Sequence, residues 1–283
     1  NIIDITRTEE QRENGRSFVL AGIGLSYKPK VFVDVYSNVS QNYRSITFSD
    51  MRISNPSSVI DPNIQDEKGY SFDLGVRSDQ TSFYNYDVSV FYLNYNNRIG
   101  EVQFYDESNR TLRRRGNIGQ AIIRGAEAYG EVDLVNSLSS SHSNWSGVLF
   151  TNIAFIKSRY SKSEVPGVVN NQVEFIPEVN LKSGLRLGYG NFKTSFQYTY
   201  LSEQFTEATN AREGGVSAVV GIIPAYSIMD VSISYSYKKF RLEMSMNNVA
   251  NTMYFTRRAT GYPGPGILPS DGRSIYVTLQ AKI

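Results

Sequence analysis

Apolar and more polar side chains alternate one by one along most of this chain. In the final segment Ile275, Val277, Leu279, Ala281 and Ile283 take every second position up to the last residue. Alternation with a period of two places one set of side chains on one face of a β-strand and the other set on the opposite face. The pattern therefore predicts strands with one face towards water and the other towards an apolar environment.

About twelve segments of this kind follow one another along the chain. Several exceed the roughly 5–6 residues that are usual for strands of globular proteins. Their approximate bounds are 1–7, 17–28, 31–44, 69–79, 83–98, 120–135, 145–161, 176–190, 192–204, 224–237, 239–252 and 273–283.

The connections between these segments alternate between short and long. The short ones are Pro29-Lys30, Asp79-Gln80, residues 136–144, Gly190-Asn191 and Lys238-Lys239. The long, polar ones are 45–68, 99–119, 162–175, 205–223 and 253–272, with 8–16 as the shortest member. This alternation places tight turns at one end of an antiparallel sheet and elaborated loops at the other, which is typical of transmembrane β-barrels.

A soluble β-sandwich also has alternating strands, but its strands would be shorter and its loops would not sort into two sets. The chain contains 20 Tyr and 15 Phe, and many of them fall near strand ends, where barrels carry aromatic girdles at the membrane interfaces. No run of 18 apolar residues predicts a membrane helix, whereas a barrel strand crosses with about 9–11 alternating residues. The sequence thus favours an all-β, antiparallel, up-and-down transmembrane barrel over the sandwich.

The composition excludes most chemistry. The chain has no Cys, so disulfides, thiolate metal sites and Cys nucleophiles are excluded. Its one histidine, His142, falls in a polar turn, which argues against zinc hydrolases and Ser-His-Asp enzymes. The net charge of +2 is too balanced for a nucleic-acid binder. No catalytic residue, metal site or cofactor is predicted.

Several stretches resemble the barrel of the TonB-dependent outer-membrane transporters. Val35–Arg44 is similar to a family strand, although Ser45-Ile46 replaces two prolines, and Asp73–Arg77 and Val88–Gly100 match two further family segments. The overall pattern is most similar to the ferric dicitrate transporter branch. The remaining motif residues are Asn117, Gly119, Ala121, Gly125, Glu127, Asn248, Asn251, Gly272 and Arg273.

The resemblance implies that residues 1–283 are a single, N-terminally incomplete domain, about 12 C-terminal strands of a 22-stranded barrel without its plug domain. It implies import of a ferric chelate, with iron only as part of the cargo and no cofactor. The implied partners are the TonB complex through the missing plug, outer-membrane lipid and lipopolysaccharide, and the barrel-assembly machinery, which reads a terminal aromatic replaced here by Ile283. The C-terminus would be periplasmic and the long loops extracellular.

An anionic chelate would need fixed guanidinium groups at the external mouth, because Arg pairs bidentately with carboxylates and stays charged. The candidates are Arg44, Arg113, Arg114, Arg115, Arg257 and Arg258. The alternative for each is that it binds lipopolysaccharide phosphates or solvates a loop.

Other functions remain open at this point. The same fold could import a glycan, a peptide or cobalamin. A barrel without transport, such as an adhesin or an outer-membrane enzyme, is the third class, and the single histidine argues against the enzyme.

Overall fold

The computed structural model describes residues 17–51, 53, 58–78, 83–108, 111–135, 144–213, 218–259 and 266–282. Sixteen strands lie in these ranges, eleven of them in one extended meander. The strands are β1 (Gly22–Lys30), β2 (Val33–Arg44), β3 (Ser58–Ile60), β4 (Glu67–Ser78), β5 (Tyr84–Tyr105), β6 (Thr111–Asp133), β7 (Trp145–Ser163), β8 (Val179–Tyr189), β9 (Phe192–Leu201), β10 (Gln204–Phe205), β11 (Ile222–Ile223), β12 (Tyr226–Tyr237), β13 (Phe240–Asn247), β14 (Phe255–Ala259), β15 (Gly266–Pro269) and β16 (Ser274–Ala281).

The main sheet has the order β1-β2-β4-β5-β6-β7-β8-β9-β12-β13-β16, and every neighbouring pair is antiparallel. Each strand pairs with the next long strand in the chain, so the prediction of an up-and-down antiparallel sheet is confirmed. Eleven of the twelve predicted segments are strands of this sheet, and 1–7 lies outside the described residues. In the described part of the chain, no helix is long and apolar enough to cross a membrane.

The register keeps the two faces of the sheet chemically distinct. In one row across four strands, Phe196 pairs with Val231, Val231 with Met246, and Met246 with Ile275. This apolar face is exposed, and the side chain of Leu279 is 69% accessible. A continuous exposed apolar surface of this size marks contact with a membrane or a partner. The opposite face carries the polar residues of the alternation, and we call it the lumen face, because the predicted barrel would turn it inward.

The prediction of a long loop at 99–119 is wrong, because β5 continues to Tyr105 and β6 already begins at Thr111. The ladder between β5 and β6 has a bulge between Tyr95 and Ile99, where Asn97 adopts a φ of +54°. A bulge inserts an extra residue and shifts the phase of the alternation. The strand is therefore continuous in space although its period is interrupted in the sequence.

Smaller corrections concern the connections. The first tight turn lies at Val31-Phe32 rather than Pro29-Lys30, because β1 extends to Lys30. The turns at Gly190-Asn191 and Lys238-Lys239 are confirmed, and Gly190 has a φ of +53°. The long connections hold the short strand β3 and the hairpins β10–β11 and β14–β15. The connections predicted at 8–16 and Asp79-Gln80 and most of 136–144, including His142, fall outside the described residues.

The short strand β3 covers an edge that β7 leaves open. β7 ends at Ser163, which pairs with Gly119, whereas β6 runs further to Thr111. Ser58–Ile60 pair in parallel with Arg113–Arg115 on this exposed stretch, and the amide of Asp61 donates to the Arg115 carbonyl at 2.8 Å. Backbone groups at a strand edge need such partners. The connection between β2 and β4 is thereby fixed over the loop end of the sheet.

Candidate functional site

A chain of alternating charges lies at the loop end of β2, β4, β5 and β6. We call it the ionic chain, and in order its residues are Arg98, Glu67, Arg44, Asp50, Arg115, Glu101 and Arg113. Two of its links are cross-strand pairs, since Arg44 is in register with Glu67 and Glu101 with Arg115. Opposite charges placed directly across a ladder attract. The register of the sheet therefore positions the charged groups.

Asp50 is the centre of the ionic chain. Its two carboxylate oxygens each accept a bond from Nη2 of Arg44 at 2.9 Å, and Oδ1 accepts from Nε and Nη2 of Arg115 at 3.0 and 2.5 Å. The backbone amide and hydroxyl of Thr47 donate to Oδ2 at 2.9 and 2.7 Å. The side chain of Asp50 is fully buried. One carboxylate thus joins the connection after β2 to strand β6.

Glu67, at the start of β4, continues the ionic chain towards β5. Its Oε1 accepts from Nη1 of Arg44 at 3.1 Å and from the amide of Ile99 at 2.9 Å. Nη1 of Arg98 donates to both carboxylate oxygens at 3.2 Å. Glu67 is also buried, and among the described residues these donors balance its charge.

Glu101 on β5 closes the other end of the ionic chain. Its Oε1 accepts from Nη1 of Arg115 at 3.2 Å, and its Oε2 accepts from Nη2 of Arg113. The remaining Nη1 of Arg113 is buried without a hydrogen-bond partner among the described residues. Four guanidinium groups and three carboxylates leave the ionic chain with one surplus positive charge.

The hydrogen bonds outweigh the cost of burying Asp50. Burial alone favours the neutral acid, but the bonds from Thr47, Arg115 and Arg44 hold the pKa of Asp50 well below its ordinary value. The carboxylate is therefore ionised at neutral pH. A buried charge of this kind must keep its partners, since losing one of them leaves an uncompensated ion.

The structure changes the interpretation of the Arg113–Arg115 cluster. These residues lie within β6 and not at a loop tip, because β6 extends beyond the predicted boundary. Arg113 and Arg115 join Arg44 in the ionic chain, whereas Arg114 alternates to the other face and lies over the ring of Phe104 at 5.9 Å. The ionic chain therefore contains three of the predicted arginines, already engaged with carboxylates.

The other two predicted arginines are not part of the ionic chain. Arg257 and Arg258 lie on β14, the first strand of a small hairpin. Arg258 donates to the backbone carbonyl of Ala218 at 2.8 Å and to that of Ile222 at 2.7 Å. It stabilises the neighbouring connection, while Arg257 is exposed to solvent.

Beside the ionic chain, the connections after β7 and β9 pack on β5, β6 and β7 around a small apolar core. Tyr160 is fully buried in this core, and its hydroxyl donates to Oε2 of Glu174 at 2.7 Å. Burial raises the pKa of Glu174, with the bond from Tyr160 acting in the opposite direction. The buried apolar members of the core are Val102, Ile118, Ala121, Tyr160, Val168, Val173 and Ala208. These packed connections form a rim at the loop end of the wall.

A cavity of about 690 Å³ lies on the lumen face below this rim. Its wall is largely apolar, including Phe91 and Ile156 at lumen-facing positions, and it carries the carboxylates Asp73 and Glu127. Phe175 contributes a ring that is 53% accessible, from a backbone with a φ of +60°. A non-glycine residue in this conformation is held there by its surroundings.

The motif residues on β6 have structural roles. The side-chain amide of Asn117 donates to the carbonyls of Gln65 and Asn97 at 2.9 and 2.7 Å. Gly119 has a φ of +153°, and a Cβ there would lie 2.0 Å from the Lys162 carbonyl oxygen. Asn117 therefore ties the connection before β4 to the bulge, and Gly119 lets β7 approach closely.

Three further motif residues lie lower on β6. Ala121 is completely buried in the apolar core of the rim. A Cβ at Gly125 would lie 2.3 Å from the Phe155 carbonyl oxygen, so only glycine fits without displacement. Glu127 faces the lumen and lines the cavity.

The C-terminal motif residues fix the last connection. Asn248 donates through Nδ2 to the Thr252 carbonyl at 2.9 Å and accepts the amide of the same residue at 2.8 Å. Oδ1 of Asn251 accepts the amide of Arg273 at 2.9 Å, and it lies 3.0 Å from where a Cβ of Gly272 would be. The proposed assembly residue Ile283 lies outside the described residues.

Sequence reasoning missed the acidic half of the ionic chain and Arg98. Glu67 and Glu101 could have been found from the register, because each is directly opposite a predicted arginine. Asp50 lies in an irregular connection, where no periodicity indicates its position.

The described residues contain no group of His, Cys, Asp or Glu that could hold a metal ion. Salt-bridged guanidinium groups, a partly apolar cavity and a polar lumen face can bind and orient a solute, which is the chemistry that the arrangement offers.

Comparison with known proteins agrees with this geometry. Residues 4–249 match the family model of the TonB dependent receptor-like β-barrel. Among solved structures, the unliganded ferric citrate transporter FecA is 19% identical with a TM-score of 0.73, and the match covers 93% of this chain and 38% of FecA. The ferric yersiniabactin uptake receptor FyuA from Yersinia pestis is 16% identical, with a TM-score of 0.69 and coverages of 93% and 37%. The copper transporter OprC is 13% identical, with a TM-score of 0.68 and coverages of 92% and 38%.

Proposed function

This chain belongs to the TonB-dependent receptor-like β-barrel family, and from this premise we propose that it forms part of the wall of an outer-membrane barrel that imports a ferric chelate. The family assignment confirms the resemblance that the motifs indicated. Its members are transporters, which also confirms that the chain is not an enzyme. The chain spans less than two fifths of the length of each solved structure named above.

The observation that carries the proposal is the ionic chain at the loop end of the wall. The side chain of Arg44 is 37% exposed and that of Arg115 is 29% exposed, so both can contact solvent while they hold buried carboxylates. Their guanidinium groups are held in place by these carboxylates, and a fixed guanidinium group suits an anionic ligand. A preorganised cationic surface loses little entropy when it binds a carboxylate ligand.

Ferric citrate is the first candidate cargo. FecA is a ferric citrate transporter, and its likeness to this chain supports the fold alone. Citrate complexes of iron are small and anionic, which suits a guanidinium-lined rim. Uptake would be energised through TonB, with the long connections outside the cell and the C-terminus in the periplasm.

A larger and partly apolar chelate is the second candidate, favoured by the cavity on the lumen face. Its apolar wall and the exposed ring of Phe175 suit a siderophore with aromatic or aliphatic groups. The carboxylates of Asp73 and Glu127 would repel a small anion, such as a citrate complex of iron, from this cavity. The two candidate cargoes therefore differ in where they would bind. A citrate complex would bind at the rim, whereas a siderophore would also fill the cavity on the lumen face.

The test is uptake of radioactive iron by iron-starved cells that carry or lack the gene. We expect uptake from one ferric chelate to be lost when the gene is deleted, and to require TonB when the gene is present. Ferric citrate, a hydroxamate, a catecholate, copper and cobalamin are compared as cargoes. Unchanged uptake of every iron chelate, with loss of copper or cobalamin uptake or of surface adhesion, would contradict the proposal.

A further inference from the structure

Glu174 is a buried acid that lies outside the ionic chain. It belongs to the connection after β7, and only 6% of the residue is accessible. Its Oε2 accepts the hydroxyl of Tyr160, which is itself fully buried, at 2.7 Å. Its Oε1 packs against Gly100 on β5 and lies only 2.5 Å from where a Cβ of that glycine would be. The carboxyl group is therefore enclosed between the connection and the wall.

The charged groups around Glu174 do not compensate a negative charge there. Among the described residues, the cation that acts on Glu174 is Arg98 on β5. Nη1 of Arg98 already donates to both carboxylate oxygens of Glu67 on β4. Glu207, buried in the connection after β9, adds a further negative charge nearby. An ionised Glu174 would therefore share its cation with Glu67, and a buried charge without a partner of its own is costly.

The surroundings favour the neutral form of Glu174. Burial raises the pKa of Glu174 and repulsion from Glu207 adds to this, while the bond from Tyr160 and the charge of Arg98 oppose it. If the connection opened, the carboxyl group would be in water, with an ordinary pKa of about 4.3. The docked connection therefore binds a proton more tightly than the opened one. Docking is strongest at low pH and weakens as the pH rises through the raised pKa.

The connection that Glu174 fixes also carries part of the cavity on the lumen face. The next residue is Phe175, whose exposed ring lines this cavity. The amide of Phe175 donates to the Phe205 carbonyl at 2.9 Å. Asn210 accepts the amide of Gln172 at 2.7 Å and donates to the carbonyl of the same residue at 2.9 Å. The connections after β7 and β9 are thereby joined, and the position of Phe175 depends on their docking.

We propose that the carboxyl group of Glu174 is a pH-sensitive latch, which holds the connection after β7 on the wall while it is protonated and releases it when it ionises. The enclosure by Tyr160 and Gly100 and the engagement of Arg98 with Glu67 support this role. The consequence for cargo rests on the proposed function. The cavity on the lumen face is complete below the raised pKa of Glu174 and loses the ring of Phe175 above it.

Amide hydrogen exchange of the whole protein in mild detergent, read by mass spectrometry from pH 5 to 9, measures the opening of this connection. The informative amides are those of Asn170 and Phe175, which donate to the carbonyls of Tyr160 and Phe205. After correction for the pH dependence of chemical exchange, opening of the parent should increase at least about tenfold over this range. Glu174→Gln cannot ionise, so its opening should stay constant.

Glu164→Gln is the matched control, because Glu164 is an exposed acid of the same connection. It should keep the pH dependence of the parent. Tyr160→Phe removes a bond that lowers the pKa of Glu174, so its opening should continue to increase up to a higher pH than in the parent.

Equal pH dependence in the parent and in Glu174→Gln, or opening that decreases as the pH rises, would overturn the proposal. No iron chelate is present in the measurement. Failure of the transport proposal and failure of this one therefore give separate results.

Discussion

Replacing Asp50 by Asn is expected to destabilise the protein by about 3 kcal/mol, because it leaves the guanidinium groups of Arg44 and Arg115 facing each other without their shared buried anion. The connection between β2 and β4 should then open. The free energy of unfolding, measured in detergent with a denaturant series, gives the size of the effect. Trypsin cleavage of the same connection reports where it occurs.

The matched control is Glu203→Gln, which breaks an exposed pair with Arg212. An exposed ion pair contributes at most about 1 kcal/mol, so the control should remain close to the parent. Equal effects of Asp50→Asn and Glu203→Gln would contradict the role of the ionic chain.

The effect of Asp50→Asn should also depend on pH in one direction. Because the pKa of Asp50 is lower in the folded protein than in the unfolded chain, its stabilisation is fully present above about pH 4. It is lost as the pH falls through the lower, folded value. The difference between Asp50→Asn and the parent should therefore stay constant from pH 5 to 8 and shrink in stronger acid.

Gly119→Ala is expected to prevent the upper parts of β6 and β7 from pairing. The new Cβ would lie 2.0 Å from the Lys162 carbonyl oxygen, on a backbone whose φ of +153° an alanine rarely adopts. The clash is with backbone atoms, so a rotamer change cannot relieve it, and we expect a cost above about 3 kcal/mol. The measurement is the amount of folded, heat-modifiable barrel in the outer-membrane fraction, together with its unfolding free energy.

Gly130→Ala in the same strand is the control. No heavy atom outside its chain neighbours lies within 4 Å of a Cβ built there, and its φ is not in the left-handed region. The control should accumulate as the parent does. If Gly119→Ala accumulated equally well, the close approach of β6 and β7 would not constrain the fold.

The sheet could be predicted from the sequence because each strand is exposed to two different environments. Phe196 and Val231 face lipid, whereas Ser195 and Ser232 face water. Apolar and polar side chains therefore alternate with a period of two along every strand, and this alternation can be read from the sequence. The prediction failed where a bulge shifts the period. Asn97, with its left-handed backbone, lies in the bulge between β5 and β6. The period-two pattern is interrupted there, so the sequence predicts a loop that contains Arg113–Arg115, where the structure has strand.

The candidate site was only half predictable, for a physical reason. Arginines on strands can be located by parity, and Arg44 was placed correctly at the end of β2. Their partners depend on register and on irregular connections. Asp50 reaches Arg115 across 65 positions of sequence, a contact that depends on how one loop folds over two strands.

The membrane topology of the chain tests the central claim most directly, namely that it is a wall of an outer-membrane barrel with its long connections outside the cell. The chain has no Cys, so Val169→Cys in the connection after β7 and Lys239→Cys in the turn before β13 each introduce one thiol. We expect a membrane-impermeant maleimide to label Val169→Cys in intact cells, and Lys239→Cys only after the outer membrane is permeabilised. Labelling of Lys239→Cys in intact cells, or equal labelling of both variants, would contradict the account.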